Sequence, residues 1–179
     1  MNSPILEVKN ISKTFGNIKA LDQVNFFLEK GVIHGLLGEN GAGKSSLMNV
    51  LSGIYIPEEG TIRIKNTDIE KMNPDIASSL GIGMVHQEFR LIESFTIKDN
   101  LTLSKANIFS DNFEEAFEKY SDIFALNAHY ETRINELSVG EKQKVEIMKL
   151  IFKNSDIMLL DEPTAVLTPQ ETSQLKISL

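Results

Sequence analysis

The sequence predicts an α/β fold: a core sheet with helices, an antiparallel β lobe at the N-terminus and an inserted α-helical subdomain. Three observations carry this expectation. Two short apolar runs, 32–37 and 157–160, have the composition of strands covered on both faces. The segments 5–8 and 21–28 alternate apolar and polar residues, the period of strands with one buried face. Between the two apolar runs, Phe113, Ala116, Phe117, Tyr120 and Phe124 recur at spacings of three and four, as along one face of a helix.

Size and charge bound the rest. At 179 residues, 41% hydrophobic and 24% charged, the chain can bury a core, and one domain over 1–179 is expected, with a helical insertion over 95–140. No apolar run approaches the roughly 18 residues that a membrane-spanning helix needs, and Met1 to Pro4 is not a basic region leading into an apolar stretch. With no cysteine, disulfides and thiolate metal sites are excluded. A net charge of -7 argues against broad electrostatic capture of nucleic acid or anionic lipid, so no nucleic-acid partner is expected.

Taken in order, the opening alternation reads as a small antiparallel sheet. Gly31 introduces the apolar run 32–37, which is expected to be a buried central strand, and this runs directly into Gly38. Residues 46–52 read as a helix closed by Gly53. A turn at 57–60 leads to an alternating strand at 61–65 that returns to the opening sheet. After a buried strand at 82–85, the helical insertion covers 96–130. Ser138 opens a further helix through Phe152, and the strand at 157–160 ends in Asp161 and Glu162.

Both apolar strands therefore end in residues with chemistry. Gly38, Glu39, Asn40, Gly41, Ala42, Gly43, Lys44 and Ser45 match the full P-loop pattern, with Gly38, Gly43, Lys44 and Ser45 at its fixed positions between a strand and a helix, and Ser46 next in that helix. Glycines let main-chain N–H groups turn inward around phosphate oxygens, and the helix N-terminus adds partial positive charge. In that pattern Lys44 bridges the β- and γ-phosphates, and the Ser45 hydroxyl ligates Mg2+. Asp161 is the carboxylate expected to hold Mg2+, and Glu162 the general base that polarises the attacking water. The three histidines, His34, His86 and His129, lie far apart in the chain and suggest no metal cluster.

Leu137, Ser138, Val139, Gly140, Glu141, Lys142 and Gln143 resemble the signature of ABC ATPases, one helix before the Asp161–Glu162 pair. The order along the chain is also that of the family: an aromatic at Phe15, the P-loop, a glutamine at Gln87, the signature, then Asp161 and Glu162. The resemblance covers essentially the whole chain. It implies an ATPase in which Phe15 stacks on adenine, and Gln87 touches Mg2+ and the attacking water and senses the transport partner. It also implies that Ser138, Gly140 and Glu141 face the γ-phosphate of ATP held by a second ABC module, so that two modules close as a dimer. Physically, Ser138 with Glu141 three residues on also fits a capping box at a helix start.

Residues 81–87 and 161–170 are similar to the first module of importers for simple sugars and nucleosides. That likeness implies transmembrane permease subunits as partners, a solute-binding protein acting indirectly, and a peripheral position on the cytoplasmic face of the membrane. Glu141 stands where the family more often has glutamine, and Thr168 where most members carry aspartate. No histidine follows Glu162, although a complete module continues to a switch histidine, and the expectation is a piece of a longer protein. Two other readings stay open: a soluble ABC protein of translation or DNA repair, and an ATP-binding regulator that does not hydrolyse.

Overall fold

The computed structural model describes residues 3–103 and 112–163, and the chain divides into two compact units, Met1–Ile82 and Gly83–Leu179.

The first unit is built on a four-stranded antiparallel sheet. Strands β1 (Leu6–Phe15), β2 (Ile18–Leu28), β3 (Glu59–Ile64) and β4 (Thr67–Ile69) lie in the order β2-β1-β3-β4. Register follows the pleat: Leu6 opposes Leu28 on one side and Ile64 on the other, so Leu6, Val8, Ile62 and Ile64 fall on one buried face. The strand at 61–65 returns to the opening sheet as the alternation predicts, and β1 and β2 run longer than their alternating stretches. Helix α1 (Lys44–Leu51) buries Leu47, Val50 and Leu51. Helix α2 (Pro74–Ser79) is capped by Asn73, whose side chain accepts the Ile76 N–H, with proline in its first turn.

The second unit contains strand β5 (Ile82–Val85) from its second residue on, paired with β6 (Ile157–Leu160), helices α3 (Ile97–Thr102), α4 (Phe113–Phe124) and α5 (Val139–Phe152), and a 3-10 turn at Ile134–Glu136. Its core is aromatic. Phe113 meets Phe152 at 5.5 Å and Tyr130 at 5.7 Å between ring centroids, both edge-on, which fastens α4 to the end of α5. Gly83 lets β5 approach closely, since a Cβ there would stand 2.5 Å from Ser155 Oγ. Helix α4 has the apolar face that the 3–4 spacing predicts, with Phe113, Ala116, Phe117 and Phe124 buried.

One element departs from expectation. Residues 32–37 form no strand, and Val32, Ile33, Leu36 and Leu37 are exposed, Leu37 at 92%. An apolar run becomes a buried strand only when neighbours hydrogen-bond to it, and neither described sheet contains a strand that pairs with this segment. Among the described residues no helix is long and apolar enough to cross a membrane.

Candidate functional site

Within the first unit, the glycine loop runs into α1 as its motif requires. Gly41 and Gly43 have φ of 84° and 88°, the left-handed region that favours glycine. Gly43 is bound by space as well: a Cβ would meet the Ala20 carbonyl oxygen of β2 at 2.3 Å. The first helical hydrogen bond runs from Leu47 N–H to Gly43 C=O at 2.9 Å, and no side chain caps the helix. The N–H groups of Lys44, Ser45 and Ser46 therefore have no partner one turn back within α1, and they stand at its positive end. The Lys44 ammonium donates to the carbonyls of Gly38 at 2.7 Å and Glu39 at 2.8 Å, so the loop holds its own cation at its mouth. Glu39 C=O also accepts the Ala42 N–H, closing the loop as a tight turn around Asn40 and Gly41.

These groups fit a phosphate chain: uncapped donors, a lysine cation, and a Gly41 whose missing side chain leaves open space. The Ser45 hydroxyl is exposed in the first turn, the place from which a hard oxygen donor reaches magnesium.

Phe15, at the end of β1, is 40% exposed and packs edge-on against Tyr55 at 5.0 Å. Lys13 stands over its ring at 5.4 Å. Glu58 fixes the approach, accepting the Thr14 N–H at 2.7 Å and the Lys13 ammonium at 2.9 Å. A ring face at the sheet margin suits an aromatic base.

Within the second unit, β5 and β6 bring Gln87, Asp161 and Glu162 to one end of their sheet. The Asp161 N–H donates to Val85 C=O at 3.1 Å, two residues before Gln87, which is exposed. Glu162 is exposed and adopts φ 49°, a conformation that costs a non-glycine residue energy and is often kept where a side chain must be aimed. Burial holds the neighbouring His86 below its ordinary pKa, with Arg90 acting in the same direction and Glu146 and Asp161 opposing it.

The signature begins α5 with a complete capping box. The Glu141 N–H donates to Ser138 Oγ at 3.3 Å, while Glu141 Oε2 accepts the Ser138 N–H at 2.9 Å and hydroxyl at 2.7 Å. The carboxylate that replaces the usual glutamine is thus turned onto its own helix start. Gly140 is buried and Val139 half exposed. The P-loop residues lie in one unit and Gln87, the signature and Asp161–Glu162 in the other. Ala165, Val166, Leu167, Thr168, Pro169 and Gln170 lie outside the described residues.

Sequence reasoning missed three polar residues that hold the loop after Gln87. Asn100 in α3 is buried and pairs with both main-chain groups of Ile92, accepting its N–H at 2.8 Å and donating to its C=O at 3.2 Å. Glu146 and Lys149 in α5 grip Arg90 in the same manner. A charged pair at i and i+3 inside the apolar run of α5 was the available signal.

The family model described as ABC transporter matches residues 21–165. The guanosine import ATP-binding protein of Bacillus subtilis (strain 168) is 44% identical over 176 residues, covering 96% of this chain and 34% of the relative. The ribose import ATP-binding protein of Caldanaerobacter subterraneus subsp. tengcongensis is 40% identical, over 96% of this chain and 36% of its own length. The chain thus spans about a third of the length of these curated relatives. The dimeric structure of a bacterial ABC transporter cassette superposes with a TM-score of 0.83 at 26% identity, covering 97% of this chain and 80% of that one. With the P-loop, signature and acidic pair in the family's order, and its model matched over most of the sequence, the chain belongs to the ABC transporter family of ATP-binding cassettes.

Proposed function

We propose that this chain binds and hydrolyses ATP to power import of a sugar-like or nucleoside-like solute. The observation that carries the reading is the mouth of the glycine loop, where the Lys44 ammonium and the uncapped N–H groups of α1 converge. Lys44 exchanges its carbonyl partners for phosphate oxygens, and the N–H groups of Gly43 to Ser46 hold the remaining charge. Phe15 offers its ring face to adenine. Ser45 and Asp161, with Gln87, carry the oxygen donors that Mg2+ takes, and bound Mg2+ neutralises charge on the β- and γ-phosphates. Glu162 accepts the proton of the attacking water, which Gln87 orients.

The names of the similar proteins support import of guanosine-like or ribose-like solutes, and the dimeric cassette supports a second module as partner. On this reading the signature end of α5, with Ser138, Gly140 and Glu141, faces the nucleotide of that second module. Permease subunits hold the pair at the cytoplasmic face of the membrane and a solute-binding protein delivers cargo. The 1–179 chain acts as one cassette domain, with 95–140 as its helical insertion.

The test is binding of a fluorescent ATP analogue with Mg2+, alongside phosphate release by the full gene product. Lys44→Ala is expected to abolish binding. Glu162→Gln should retain binding and lose turnover by at least about a hundredfold, the usual scale for losing a general base. Wild-type turnover by Glu162→Gln would remove Glu162 from the chemistry.

A further inference from the structure

Glu146 is a carboxylate only 2% exposed, on a helix whose neighbouring Val145, Ile147 and Met148 are all fully buried. Its Oε1 accepts the Arg90 N–H at 2.7 Å and the Lys149 ammonium at 3.0 Å. The same ammonium donates to Arg90 C=O at 2.8 Å. One ion pair, spaced i and i+3 on α5, therefore satisfies both main-chain groups of a single loop residue. Taking two charges out of water gives little net stability, and apolar replacements of buried pairs are commonly neutral or stabilising. Stability alone is a poor account of this pair.

Its placement supplies a better one. Two residues before Gln87, Val85 C=O is fixed by the Asp161 N–H. Three residues after it, Arg90 is fixed by α5, the helix that the signature begins. Gln87 rides on the four residues 86–89 between two anchors, one belonging to the Asp161–Glu162 turn and the other to the signature helix. Moving either anchor moves Gln87. We propose that Glu146 and Lys149 form a positioning clamp that sets the place of Gln87 at the attacking water, controlling turnover and not nucleotide affinity. This rests on the reading of Gln87 given above.

The experiment measures ATP turnover by the full gene product as assembled in the cell, with hydrogen exchange at the Arg90 amide. Glu146→Ala is expected to lower kcat about tenfold, with KM for ATP within about twofold, as for an interaction felt only in the transition state. The Arg90 amide should exchange at least about tenfold faster. Glu146→Gln, which keeps an acceptor for Arg90, should restore most of both. In a Gln87→Ala background Glu146→Ala should have no further effect on kcat, because the two act as one unit. Should Glu146→Ala not fold, Lys149→Met, which leaves Arg90 C=O without its donor, serves the same comparison. A folded variant with wild-type kcat and unchanged Arg90 exchange overturns the clamp, as does an effect that adds to Gln87→Ala. If Gln87→Ala itself turns over normally, the assignment of Gln87 falls, while Arg90 exchange still decides whether the clamp holds the loop.

Discussion

Two glycines of one loop, alike in backbone angle, differ in what surrounds them. Gly41 has open space beside it, whereas a Cβ on Gly43 would stand 2.3 Å from the Ala20 carbonyl oxygen, which β2 cannot yield without moving. Alanine at Gly41 should cost about 1–2 kcal/mol, the usual penalty for a left-handed residue. Alanine at Gly43 adds an overpacking penalty of about 1–3 kcal/mol. Urea unfolding of the two variants should therefore rank Gly43→Ala clearly below Gly41→Ala, and equal midpoints would show that β2 gives way. The need for Gly43 was legible in the sequence, because the motif fixes a glycine directly before Lys44, whereas Gly41 fills a position that the motif leaves open. The partners of Glu146 were not, because the loop it grips lies 56 residues away in the chain.

Among the elements, α3 has its own acid-sensitive lock. The Thr96 hydroxyl, and then the Thr96 N–H, hydrogen-bond to Asp99 and hold its carboxyl below the ordinary 3.8. Since the folded-state pKa is depressed, this contribution is complete above pH 3.8 and is lost as pH falls through the folded value. The Tm difference between wild type and Asp99→Asn should be constant at neutral pH and shrink in strong acid; a difference that grows there would reverse the sign. Elements with a local pattern, such as α4 with its 3–4 spacing and α5 with its cap, could be read from sequence. The three-residue β4 and six-residue α2 are too short to show a period. Residues 32–37 mislead for another reason: burial on both faces is a property of neighbours, and composition records only readiness for it.

At the scale of the molecule, that same segment leaves Ile33 68% and Leu37 92% exposed, in a run without lysine, arginine, aspartate or glutamate. Such surface favours self-association. Sedimentation of the 179-residue chain should show oligomers that Ile33→Lys with Leu37→Lys reduces, and an unchanged profile would place the association elsewhere. The hydrogen bonds along 90–95 have the opposite character, since they fall chiefly on main-chain atoms. Arg90 and Ile92 are held by both N–H and C=O, and the carbonyls of Glu93, Ser94 and Phe95 accept from Asn135, Arg133 and Ile134. A path fixed through the backbone does not depend on which exposed side chains it carries. Mutation can therefore rewrite the face this loop shows to a neighbour, and so change its choice of companion, without redrawing the course that carries Gln87.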